Sequence, residues 1–124
     1  MFAASIPPTQ TAVALAALRW LEAHPELPEK LQANAARFRK DLIERDVKII
    51  EAPTPIVPIY TYEQVNTLRK ARELYDAGVY VNTVLPPATA PNECLLRTSY
   101  MASHTEALLD EAMDIIRDVM VEKA

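Results

Sequence analysis

The spacing of apolar and polar residues along the chain predicts four helices and a small set of strands. Pro7 and Pro8 disfavour helix immediately before them, so residues 1–8 read as an extended leading segment. Thr9 or Thr11 is placed to cap a helix running to about Ala23. Within it Ala12 to Leu18 is an unbroken apolar run, followed by Trp20 and Leu21. A helix with so little polar face is normally covered on most sides, which points to a partner surface outside the chain. A second helix is expected from about Pro28, a good first-turn residue, with Leu31, Ala35, Phe38 and Leu42 at helical spacing on one side.

Val47 to Ile50 is a short β-prone stretch, and Ile56 to Thr61 is another in which Pro58 argues for an edge position. A third helix is expected over about 63–77, with Val65, Leu68, Arg72 and Tyr75 along one side and Gly78 ending it in a left-handed turn. Val79 to Leu85 and Cys94 to Tyr100 read as strands around a proline-rich loop. Ser103 and Glu106 have the spacing of a capping box ahead of a last helix that carries Leu108, Leu109, Ala112, Ile115, Ile116 and Val119. Two strands joined by a short loop favour antiparallel pairing. The expected fold is therefore α+β, a small antiparallel sheet of about three strands covered by helices.

Composition narrows the function classes. A chain of 124 residues, half apolar and a quarter charged, has the balance of one soluble globular domain. Its net charge of -4 offers no basic surface for nucleic acid. One cysteine, Cys94, allows neither an internal disulfide nor a cysteine metal cluster, and a reducing compartment is expected. His24 and His104 lack ligand spacing, so no metal site is expected. Neither a signal-peptide pattern nor an apolar run of about 20 residues is present, so no leader and no transmembrane span are expected. Gly78 is the sole glycine, which excludes a glycine-rich phosphate cradle and leaves any cofactor phosphate to groups outside the chain.

No complete catalytic constellation is visible, so no catalytic residue is assigned. The candidate binding residue is Arg97, within the otherwise uncharged stretch Cys94 to Tyr100. Burying an arginine among apolar neighbours is costly without an anion beside it, and its planar fork suits a carboxylate held by two parallel hydrogen bonds. A structural ion pair with Asp or Glu, or a place on an exposed strand face, accounts for the same residue. His104 reads as part of a helix cap, with a proton-carrying role as the alternative, and Cys94 as a small core residue. Tyr60, Tyr62 and Tyr80 read as packing residues, and Lys70 and the other lysines as solvated rather than Schiff-base forming.

Several local sequences resemble the end of the α-oxoamine synthases, a family of fold-type-I pyridoxal-phosphate (PLP) enzymes. They are Gly78 to Asn82, Leu85-Pro86-Pro87-Ala88-Thr89, Leu95 to Ser99 and Ala102 to Glu106, in that order. The opening Phe2 to Pro8 resembles the segment by which the chain leaves that family's large domain. The Pro-Pro-Ala-Thr loop and the Leu-Leu-Arg strand are most similar to serine palmitoyltransferase. The resemblance implies a C-terminal small domain over 28–124, with 1–27 as the segment and connecting helix leading in from a missing, N-terminal, PLP-binding domain. It implies a decarboxylating condensation of an amino acid with an acyl-CoA, placed in sphingolipid biosynthesis for a serine palmitoyltransferase.

For the site, the resemblance implies that Arg97 grips the amino-acid carboxylate, that Ala88 and Thr89 line the substrate side, and that Ala3 and Ser5 lie near the cofactor phosphate. Position 3 is often serine or threonine in the family and is alanine here; the arginine that precedes the Pro-Pro-Ala-Thr loop in some serine palmitoyltransferases is Leu85. The Schiff-base lysine, the histidine stacked on the cofactor ring and the aspartate at its pyridine nitrogen lie upstream of this segment in the family. The chain alone is therefore expected neither to bind PLP nor to catalyse. A cytoplasmic homodimer is expected for the whole enzyme. Two alternatives stand beside this reading: a stand-alone α+β binding or dimerisation module, and the same domain of a glycine- or alanine-using family member.

Overall fold

A computed structural model describes residues 5–121. Helix α1 is Pro8–Ala23, α2 is Glu26–Glu44, and strand β1 is Ile56–Tyr62. Helix α3 (Gln64–Asp76), strands β2 (Asn82–Val84) and β3 (Cys94–Ser99), and helix α4 (Glu106–Met120) complete the order. The sheet is antiparallel in the order β1-β3-β2, so β3 is central. Helices α2, α3 and α4 cover one face, an α+β arrangement as the pattern predicts.

The helix starts differ from the sequence expectation. Pro8 opens α1 as its first residue, where its missing N–H costs nothing, and no side chain caps it. Thr11, expected as a cap, instead donates its hydroxyl to Pro7 O at 3.3 Å. Helix α2 begins at Glu26, which leaves Pro28 within its first turn. Ahead of α4 the cap is Thr105, whose Oγ1 accepts from the Leu108 N–H at 3.3 Å, and not Ser103. Residues 101–104 are held in a turn of their own by His104 N–H on Met101 O at 3.2 Å.

Pro58 explains why Val47 to Ile50 contributes one bridge rather than a strand. Ile49 faces Ile59, and Ile50 N–H and Tyr60 N–H donate to Pro58 O and Lys48 O. The next ladder bond would run from position 58 to Ile50 O, and proline has no N–H to give. That gap faces outward, away from β3, so β1 tolerates the proline as a sheet edge.

The inward face of α3 is the largest departure. Val65, Leu68 and Tyr75 are exposed, Val65 to 78%, while Thr67, Lys70 and Leu74 point into the core. A polar anchor fixes this rotation. Thr67 Oγ1 lies 2.6 Å from Thr61 Oγ1 and donates to Glu63 O at 2.7 Å, and Thr61 Oγ1 donates to Cys94 O at 3.1 Å. Buried hydroxyls require such partners, so the threonines turn inward and carry the helix with them. Lys70, expected as solvated, is 4% exposed and donates Nζ to Val119 O and Met120 O at 3.1 and 3.2 Å. An ammonium at the carbonyl end of α4 opposes the negative pole of that helix. Gly78, at φ 96°, ends α3 as expected, with Gly78 N–H on Tyr75 O and Val79 N–H on Leu74 O.

The core holds Phe38 and Leu42 of α2, Val57 and Ile59 of β1, Leu74, Leu96 of β3, and Leu109, Met113 and Ile116 of α4. Tyr100 packs its ring against Phe38 at 4.8 Å and donates its hydroxyl to Thr98 Oγ1 at 2.9 Å, while Thr98 donates to Val57 O. Burial pushes the Tyr100 phenol well above its ordinary range, an effect that the Thr98 hydrogen bond and the nearby Arg39 charge oppose. In contrast, α1 buries no residue, and Val13, Leu15, Leu18, Trp20 and Leu21 all face solvent.

Two outcomes follow. Leu74→Ala should cost about 2–5 kcal/mol in urea unfolding, whereas Val65→Ala should stay within about 0.5 kcal/mol. Equal costs would contradict the rotation of α3. The raised Tyr100 value adds stability that is fully present below the unfolded phenol value of about 10. Above it the unfolded chain ionises first, so stability should fall as pH rises from there toward the folded value. Urea midpoints across the alkaline range, compared with Tyr100→Phe, check this.

Candidate functional site

Side chains alternate along β3, and the alternation builds the site. Cys94, Leu96 and Thr98 point into the core and are buried, so Leu95, Arg97 and Ser99 belong to the opposite face. Across the register, Ser99 faces Ile56, Arg97 faces Pro58 on one side and Asn82 on the other, and Leu95 faces Tyr60 and Val84. The helices lie on the core side, which leaves this second face open around Arg97.

Arg97 is therefore exposed on the central strand, the alternative that its sequence context leaves open, and not buried among apolar residues. Of its uncharged neighbours, Cys94, Leu96 and Thr98 point to the other face, while buried Leu95 and exposed Ser99 share its own. Its one side-chain bond among the described residues is Nη2 to Asn82 Oδ1, at 3.4 Å, near the outer limit for a hydrogen bond. No carboxylate of the described residues pairs with it, whereas Arg37, Arg45, Arg72 and Arg117 all sit in ion pairs. A guanidinium has five N–H donors, so most of the fork remains available to an anion. Asn82 in turn donates Nδ2 to Tyr80 Oη at 3.4 Å. Asn82 escaped the sequence reading as a site residue; its one signal was a polar amide in a strand of β-branched and aromatic residues.

The loop between β2 and β3 closes one end of this face. It begins one residue after Val84 and ends at Cys94, about 10 Å along the strand from Arg97 at about 3.3 Å per residue. Ala88 is exposed, and its N–H closes a turn on Leu85 O at 2.9 Å. Thr89 is half-buried, with a buried Oγ1 that has no hydrogen-bond partner, a costly condition unless a ligand or water completes it. Ser5 is exposed ahead of α1 and makes no hydrogen bond to the sheet among the described residues. Ala3 lies outside the described residues.

The other candidates fall elsewhere. His104 accepts the Met101 N–H on Nδ1 at 3.3 Å, a structural use in the turn before α4. Cys94 is buried. Tyr60 and Tyr62 stack at 5.5 Å, and Tyr62 and Tyr80 are exposed rather than packed in the core. Among the described residues no group of His, Cys, Asp and Glu could hold a metal, and no helix is long and apolar enough to cross a membrane.

Residues 1–116 match the model of the family described as aminotransferase class I and II. The chain belongs to that family. Among curated relatives, it is 35% identical over 114 residues to a serine palmitoyltransferase of Bacteroides ovatus, covering 92% of this chain and 29% of the relative. It is 34% identical over 121 residues to an 8-amino-7-oxononanoate synthase of Citrifermentans bemidjiense, covering 96% and 31%. A solved serine palmitoyltransferase from S. paucimobilis, with a bound PLP-myriocin aldimine, superposes with TM-score 0.87 at 30% identity, covering 96% of this chain and 30% of that one. The Sphingomonas wittichii serine palmitoyltransferase gives 0.86 at 27%, with the same coverage. These likenesses fit the α-oxoamine synthases within the aminotransferase family, and the α+β fold is theirs. The chain spans about 30% of the length of these relatives.

An arginine without a carboxylate partner is what the described residues would bring to a PLP site. Lys40 and Lys48 pair with Glu44 and Asp46, Lys70 holds α4's last carbonyls on the core side, and Lys30 is exposed on α2. Of these only Lys48, opposite Tyr60 beside the Ile49–Ile59 bridge, lies on Arg97's side of the sheet, and it is held by Asp46. The one glycine ends α3 rather than cradling a phosphate. What the face offers is an exposed guanidinium with no carboxylate partner among the described residues. Because Arg97 is exposed and outside the core, Arg97→Ala should shift the urea unfolding free energy by less than about 0.5 kcal/mol. A cost of several kcal/mol would show that Arg97 has a structural role.

Proposed function

We propose that the chain is the C-terminal part of a PLP-dependent acyl-CoA:amino-acid C-acyltransferase of serine-palmitoyltransferase type. Residues 28–124 form its small domain, and residues 1–27 connect that domain to the PLP-binding part. One observation carries the reading: on the sheet face that the helices leave open, the central strand presents an arginine with no carboxylate partner among the described residues. The bare apolar surface of α1 supports a covering by another part of the enzyme or by its second subunit.

In this reading Arg97 takes the amino-acid carboxylate in its fork and fixes the orientation of the bond between that carboxylate and the α-carbon. The cofactor, when bound, supplies the electron sink for breaking it. Ala88 gives the loop a small side chain where an acyl or amino-acid substrate passes, and Thr89 brings its unpartnered hydroxyl to the same side. Ser5 and, by the family resemblance, position 3 are assigned to the side of the cofactor phosphate. The enzyme joins the amino acid to the acyl group with loss of carbon dioxide and free CoA, works as a cytoplasmic homodimer, and for serine and a long acyl chain opens sphingolipid synthesis. By itself the chain binds no PLP.

The test is made in the longer polypeptide that contains this chain. Arg97→Ala should weaken amino-acid binding by about 10-fold to 100-fold, the worth of a charge-assisted pair, and leave CoA binding within about twofold. Isothermal calorimetry with each ligand separately reads both. Equal loss of the two would overturn the carboxylate role.

A further inference from the structure

We infer that Asn82 is the positioning residue for the Arg97 guanidinium, and that its amide sets how much of the fork is free for an incoming carboxylate. The inference rests on the carboxylate reading of Arg97. Asn82 and Arg97 are register partners across β2 and β3, so their side chains leave the sheet side by side on the same face. On the other flank the register partner is Pro58, which offers no polar side-chain atom. Lateral restraint on the arginine therefore comes from Asn82 alone among its strand neighbours.

The chemistry of the contact fixes its polarity. Arginine only donates, so the asparagine must turn Oδ1 toward it, and Nδ2 then faces Tyr80 Oη. Tyr80 anchors the amide in that orientation, and the amide holds Nη2. A neutral acceptor at 3.4 Å steers the fork without neutralising it. An aspartate at the same position would form a two-pronged ion pair and occupy the fork. An alanine would leave the long side chain to sample its rotamers, and ordering it would then weigh against binding.

The experiment uses the 124-residue chain, with sodium acetate as the carboxylate probe, titrated against sodium chloride at constant ionic strength. The readout is the Nε–Hε signal of Arg97 and the backbone amides of residues 82 and 97 in nitrogen-15 spectra. Asn82→Ala should weaken acetate binding about fivefold, and Asn82→Asp, which keeps the side-chain shape, by more than about tenfold. Asn82→Asp should also shift the Arg97 Nε–Hε signal before any acetate is added, which mere loss of structure would not do with the amide dispersion intact. Should Asn82→Ala fail to fold, the isosteric Asn82→Asp carries the test. If both variants bind acetate as the parent does while Arg97→Ala loses it, the positioning role falls and the carboxylate reading stands. If the parent and Arg97→Ala respond alike, the carboxylate reading itself falls.

Discussion

The twofold alternation of side chains along the central strand is the constraint on which the rest of the molecule depends. Leu96 and Thr98 must face the helices because that is where the apolar surface of α2, α3 and α4 lies. Once they do, Arg97 between them has no choice but the other side. Shifting β3 by one residue would place the guanidinium against Phe38 and Leu74 and the two core residues in water. The energy that holds the core together therefore also aims the arginine. Neither β1 nor β2 has to contribute a specific contact for this to hold; they need only keep register.

Much of this was readable from the chain. The stripe Leu31, Ala35, Phe38 and Leu42 turned inward because apolar burial, the signal that periodicity detects, is what orients α2. Gly78 marked the end of α3 because the left-handed turn there needs a residue without Cβ, and Pro58 marked an edge because of the donor it lacks. The rotation of α3 was not readable. Its orientation is decided by the buried hydroxyls of Thr61 and Thr67, which donate to Cys94 O and Glu63 O, and by Lys70 reaching the end of α4. Counting apolar residues ranks all three as outward-facing. The cap of α4 was missed by two residues for a related reason: Ser103 and Glu106 have the right spacing, but a local turn at 101–104 delays the helix.

The candidate site was half readable. Arg97 stands out as the one charge in its strand, and what sets it apart in the structure is exposure on a face with no counter-ion among the described residues rather than burial. Asn82 is not legible as a site residue in the sequence, since only the strand register shows that it lies opposite the arginine. The family link was carried by short motifs in a fixed order. The class I and II match over residues 1–116 and the superposition on serine palmitoyltransferase structures agree with that order.

The proline in β1 has one more effect. An open three-stranded sheet exposes two margins, and each is a template on which a stray extended chain could add a fourth strand. On the β1 margin the missing donor at Pro58 interrupts the row of hydrogen-bonding groups, and the bridge at Ile49 occupies part of what is left. On the β2 margin only Asn82 to Val84 are available. The sheet thus resists polymerisation along its edges.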